Sequence, residues 1–131
     1  IDLVKMIHDY GCWAYVHSHG KVGTILDEML RIGIDAIHPL EAPPMGDIHL
    51  RDAKRILGNK VVAVGNIQFG DIEMQDEDYI EETVRDAVLT GKEGGKFILA
   101  TTSSAIKKPL EERMAKNYIK LVETALKYGN Y

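Results

Sequence analysis

Two histidines stand two apart in His17-Ser18-His19-Gly20, and a carboxylate, Glu41, follows further along the chain. On an extended segment residues i and i+2 share a face, so both imidazoles project the same way. Two neutral imidazoles on one face can hold a transition metal, and zinc sites combine histidine with a carboxylate. Glu41 lies between an apolar run and Pro43-Pro44, whose rings stiffen the loop that would present it. A plainer reading serves the same residues: histidines that cap a strand and bond to nearby loops, and a carboxylate engaged in an ion pair. Two further polar segments follow directly on apolar runs, Gly65-Asn66-Ile67-Gln68 and Thr101-Thr102-Ser103-Ser104. Asn66 and Gln68 offer amides to orient a ligand, beside a glycine that admits a close backbone approach, or they form a turn with no ligand. Thr102, Ser103 and Ser104 offer hydroxyl and N–H groups to a bound carboxylate, or a polar loop before the last helix. His38 reads as structural rather than catalytic, Cys12 as a small buried hydrophobe, and His8 and His49 as surface residues on helices. No residue is assigned a catalytic role.

The elements that must position these residues follow one rhythm, repeated four times: a short β-rich run, a turn, then a helix. The first run is Cys12 to His17, and its helix carries Val22, Ile25, Leu26, Met29 and Leu30 at helical spacing, with Gly33 as its cap. The second run is Ile34 to Leu40, and its helix has Asp47 as N-cap, Ile48, Ala53, Ile56 and Leu57 inward, and Gly58 at its end. The third run is Lys60 to Val64, with a helix over about 76–90 that turns Ile80, Val84, Ala87 and Val88 inward. The fourth is Lys96 to Ala100, followed by a long helix with Leu110, Met114, Tyr118, Leu121, Val122 and Ala125 inward. Strands alternating with helices imply parallel βαβ units in an α/β fold. The runs start near 13, 34, 61 and 97, spaced by 21, 27 and 36 residues. An eight-unit (β/α)8 TIM barrel uses roughly 31 residues per unit, so four units make half of one. A doubly wound sheet is the rival. No spaced-glycine phosphate loop follows the first run, which argues against a dinucleotide-binding version of it. In either architecture the polar segments fall at the C-terminal ends of the strands, where such folds keep their active sites.

Composition narrows the class. Of 131 residues, 45% are hydrophobic and 27% charged, the balance of a folded globular chain. The net charge is −4, from 20 acidic and 16 basic residues, with no basic run interleaved with aromatics. That speaks against a nucleic-acid partner. The apolar stretches are far shorter than the roughly 20 residues that span a bilayer, so no membrane segment is expected. A single cysteine forms neither an internal disulfide nor a thiolate cage, and the expected setting is the reducing cytoplasm. Residues 1–11 read as the end of a preceding helix and 12–131 as the four βα units, so the chain reads as a piece of a longer protein.

The order of His17-Ser18-His19-Gly20, Gly33-Ile34-Asp35-Ala36-Ile37, Leu40-Glu41-Ala42-Pro43, Val64-Gly65-Asn66-Ile67 and Gly94-Gly95-Lys96-Phe97-Ile98-Leu99 resembles the C-terminal half of the uroporphyrinogen decarboxylase superfamily, over about residues 13 to 128. The resemblance implies a (β/α)8 barrel. One branch of that superfamily decarboxylates uroporphyrinogen without metal or cofactor. The other uses zinc to move methyl groups between corrinoid proteins and thiols, with cobalamin-independent methionine synthase as a more distant relative. In the zinc branch the first strand of this half ends in H-x-C-G, an acidic residue ends the next strand, and a second cysteine follows the last. Here His17 matches the histidine, His19 replaces the first cysteine, Glu41 matches the acidic residue, and Thr102, Ser103 and Ser104 stand where the second cysteine would be. A His-His-Glu set is harder than a thiolate set and closer to hydrolytic zinc sites.

The expectation is therefore the C-terminal part of an enzyme in which His17, His19 and Glu41 hold zinc while Asn66, Gln68, Thr102, Ser103 and Ser104 bind substrate. The expected partners are the missing N-terminal half-barrel or a second copy of the chain, and a corrinoid protein as methyl carrier. The alternatives are a metal-free decarboxylase, a lyase in which the same histidines bind substrate or transfer protons, and an inactive half-barrel fragment that only oligomerises.

Overall fold

Four parallel strands form one sheet whose order, β1-β2-β3-β4, is the order of the chain. The computed structural model describes residues 2–106 and 108–130. Its elements are α1 (Asp2–Asp9), β1 (Tyr15–His17), a 3-10 turn (Val22–Ile25) running into α2 (Leu26–Ile32), β2 (Ala36–His38), α3 (Leu50–Leu57), β3 (Val62–Ile67), α4 (Phe69–Met74), α5 (Glu77–Lys92), β4 (Phe97–Thr101) and α6 (Glu112–Tyr128). A doubly wound sheet reverses its strand order at a switch point. This one runs straight through all four strands, as a partial barrel-like sheet does.

The helices bury one face of the sheet. Ile37, Ala63 and Ile67 on the strands pack with Leu26, Ala53, Leu57, Ile72, Ile80 and Val84 on the helices, each fully buried. Burial of each large aliphatic side chain stabilises the fold by about 1.5–3 kcal/mol. Gly91 on α5 admits this packing, because a side chain there would run into the Phe97 ring. The opposite face is poorly covered. Tyr15, Ala36 and Val62 lie in one row by register, and Ile98 pairs with Val64 on the same side. Val64 is buried, but Tyr15 and Ile98 are 53% and 54% exposed. Among the described residues the outer edges of β1 and β4 have no neighbouring strand.

Local signals explain most element ends. Gly33 closes α2 in the left-handed region at φ 80°, with its N–H returned to the last turn, as expected. Asp76 caps α5 by accepting the Tyr79 N–H at 2.9 Å. Asp47 does not cap α3. That helix starts at Leu50, and Asp47 instead accepts the Gly23 N–H at 2.8 Å, tying the 3-10 turn to the β2–α3 loop. Strand β3 continues through Gly65-Asn66-Ile67 because these residues pair with Leu99, Ala100 and Thr101. Leu110 precedes α6, and Val122 is 53% exposed, because α6 packs through Met114, Tyr118, Leu121 and Ala125. Buried Asn117 adds a polar tie, donating to the Ile72 and Gln75 carbonyls at the end of α4.

At the N-terminal edge of the sheet, Asp35 holds α1 in place. Its carboxylate accepts the Ala14 N–H at 2.6 Å and lies 2.8 Å from His8 Nε2. These bonds hold the Asp35 carboxyl below the usual carboxylate range, the Ala14 N–H contributing most. Cys12 is exposed rather than buried, because strand β1 begins only at Tyr15 and Cys12 lies in the turn after α1.

Candidate active site at the C-terminal rim of the sheet

Parallel register sets His17 directly opposite His38 at the ends of β1 and β2. The two rings meet edge to edge, His17 Nδ1 to His38 Nδ1 at 3.0 Å. The other nitrogen of His38 reaches the Thr101 carbonyl at the end of β4, also at 3.0 Å. On the far side of His17, its Nε2 lies 3.2 Å from His19 Nε2, the rings nearly perpendicular at 75°. The i, i+2 spacing thus brings the imidazoles together as the sequence implied. Glu41 closes the row: its Oε1 lies 3.3 Å from His19 Nδ1, and its Oε2 accepts the Gly20 N–H at 2.7 Å. Glu41 is buried and His19 half exposed, so the row runs from a sheltered carboxylate out to the solvent edge.

This geometry bears on a metal in two ways. Two nitrogen ligands of a tetrahedral zinc sit about 3.4 Å apart at ordinary Zn–N lengths, close to the 3.2 Å between the two Nε2 atoms. Glu41, however, stands behind His19 at Nδ1. That is the place of a carboxylate that orients a histidine ligand, not of a ligand itself. Among the described residues no set of three or more His, Cys, Asp or Glu side chains is placed to hold an ion together. The two Nε2 atoms thus stand at the separation that a pair of zinc ligands would have, with Glu41 behind one of the rings.

The other candidates divide. Asn66 and Gln68 line one open pocket of about 680 Å³ beside the Ala42-Pro43 loop, together with His49, Asp71 and Tyr79. Burial pushes the Asp71 carboxyl up, against the lowering bonds from Gln75 and Tyr79. Thr102 is buried and structural: its hydroxyl accepts the Phe69 N–H at 3.1 Å and donates to Gln68 Oε1 at 3.2 Å. Gln68 Nε2 is left buried without a partner. Ser103 and Ser104 are exposed, the Ser103 carbonyl accepting from the Thr101 hydroxyl. Sequence reasoning missed the reach of His38 and the presence of Asp71. His38 bonds to a carbonyl 63 residues away, and Asp71 sits on α4, a six-residue helix too short to show a periodic stripe.

No family profile matches the chain, and no curated protein matches it. Among solved structures, a methyltransferase from Methanosarcina mazei is similar in fold, with a TM-score of 0.70 at 19% sequence identity. The match covers 98% of this chain and 35% of that one. The chain thus has a methyltransferase-like fold and spans about a third of the length of the protein it resembles. No helix among the described residues is long and apolar enough to cross a membrane.

Proposed function

We propose that this chain is the metal-holding part of a methyl-transfer enzyme of the uroporphyrinogen decarboxylase superfamily, working in the cytoplasm with a corrinoid protein as methyl carrier. The observation that carries the proposal is the convergence of His17 Nε2 and His19 Nε2 at 3.2 Å on the C-terminal rim of the sheet. The fold shared with a methyltransferase supports it. His17 and His19 hold zinc, and Glu41 steadies His19 and the Gly20 turn beneath it. When bound, the zinc supplies Lewis-acid activation of the substrate atom presented to it. Asn66, Gln68, Ser103 and Ser104 orient the substrate, with Asn66 and Gln68 facing the pocket and buried Thr102 bracing Gln68 from behind. The open edges of β1 and β4 and the exposed Tyr15 and Ile98 support a second half-barrel, from a longer chain or another copy, as the structure that completes the site.

The test is zinc per chain after dialysis, for the intact protein and its His19→Ala and His19→Cys variants. One equivalent is expected in the parent, loss in His19→Ala, and retention in His19→Cys, since thiolate is a good zinc ligand. Near-zero zinc in all three would overturn the metal reading. It would leave the row of imidazoles as a metal-free acid–base array, in keeping with the decarboxylase branch.

A further inference from the structure

We propose that His38 is the positioning residue of this site: through its bond to Thr101 it fixes the tautomer of His17, so that the His17 Nε2 lone pair faces His19. The proposal deepens the functional reading above, because it takes the two facing Nε2 atoms as the working nitrogens.

The argument is a count of protons along the row. The Thr101 carbonyl can only accept, so His38 Nε2 carries the hydrogen of that 3.0 Å bond. A neutral imidazole has one N–H, so His38 Nδ1 is a lone pair. The 3.0 Å contact between the two Nδ1 atoms then requires His17 Nδ1 to donate. That leaves His17 Nε2 as a lone pair, aimed at His19. From the other end, the Glu41 carboxylate lies 3.3 Å from His19 Nδ1 and favours a hydrogen on that nitrogen, which in the neutral ring leaves His19 Nε2 as a lone pair as well. Two lone pairs at 3.2 Å repel, and the contact is relieved by a proton shared between them or by a metal ion bound to both, off the line that joins them. Both backing partners are needed to set this up, one from each side. The partner on the His17 side is a histidine on a neighbouring strand whose own orientation is set by the main chain of β4. Tyr15 lies beside the His38 ring, at 6.4 Å between centroids and 26° between planes.

The experiment records long-range ¹H–¹⁵N spectra of histidine-labelled, metal-stripped intact protein at pH 8, with His17 assigned by its loss in His17→Gln. The parent is expected to show His17 as the Nδ1–H tautomer. His38→Phe keeps a ring but removes the acceptor, and should release His17 to the Nε2–H form. His38→Asn places Oδ1 near the position of Nδ1, so it should restore the Nδ1–H form. Zinc titration of the same samples should show a 10- to 100-fold weaker affinity in His38→Phe, the usual cost of losing a partner behind a histidine ligand. His38→Asn should recover most of it. A histidine with only a packing role would change the melting temperature and leave the His17 tautomer alone. The proposal is overturned if His17 is Nε2–H in the parent, or if His38→Phe leaves His17 as Nδ1–H. If the tautomers behave as stated but no sample binds zinc, the positioning role stands and the zinc reading falls.

Discussion

Replacing Glu41 tests the rim of the sheet from the side opposite His38. Glu41→Ala removes a carboxylate that is only 5% exposed, so water cannot easily take over its contacts. Its bond to the Gly20 N–H, 2.7 Å long, is charge-assisted and contributes about 1.5–3 kcal/mol. The contact with His19 adds only about 0–1 kcal/mol, because that imidazole is half exposed and screened. The expected loss is therefore about 1.5–4 kcal/mol, most of it from the orphaned Gly20 N–H. Glu41→Gln separates stability from site chemistry. Its oxygen can still accept from Gly20, so the stability cost is about 1 kcal/mol. Its NH2 group, however, faces His19 Nδ1 and forces the hydrogen of that ring onto Nε2, which removes the lone pair from the gap. Urea unfolding of the intact protein at pH 7, followed by near-ultraviolet circular dichroism, measures the first effect, and zinc per chain after dialysis the second. The reasoning fails if Glu41→Ala unfolds within 0.5 kcal/mol of the parent on this ~1 kcal/mol hydrogen-bond scale. It fails equally if Glu41→Gln holds zinc as tightly as the parent does.

Two more outcomes follow from the fold. The Asp35 carboxyl is held below its ordinary range in the folded chain, chiefly by the Ala14 N–H and then by His8. A depressed native pKa gives stability that is complete above the unfolded carboxylate range and is lost as pH falls through the native value. Asp35→Asn should thus cost about 1 kcal/mol at pH 7 and progressively less towards pH 3; a gap in urea midpoints that widens on acidification would contradict this. Separately, light scattering of this chain expressed alone should give a mass above that of one protomer, since open strand edges and an exposed apolar face invite pairing. A single-chain mass with cooperative unfolding would count against it.

The sequence revealed what short-range rules govern. Apolar runs separated by amphipathic stripes marked the four strands, and Gly33 and Gly58 ended their helices where a glycine cap belongs. The spacing of His17 and His19 foretold their shared face, and Glu41 comes within reach of His19 because β1 and β2 pair side by side. What escaped depends on partners distant in sequence. Asp47 is a good N-cap by type, yet its carboxylate serves the Gly23 N–H on another turn. The end of β3 read as a loop because Gly65 and Asn66 are poor strand formers; pairing with β4 overrides that preference. His38 looked structural because its role is visible only once register has set it against His17 and brought Thr101 within reach. Asn66 and Gln68 were recognised as a pair, but the pocket they share is built from α3, α4 and α5 and could not be foreseen from strand ends alone.

The bond from His38 to Thr101 spans β2 to β4, passing over β3. In a flat sheet, strands two places apart lie about 9.5 Å from each other, and a single imidazole bridges that interval here. The row of histidines is therefore a gauge of curvature. Bending the sheet towards its open face draws the two strand ends together and shortens the span, while flattening it pulls the ring off the carbonyl and frees His17 to change tautomer. A body that settles into the concave side and holds the curl would thus tighten the chemistry at the rim without touching any of the three rings.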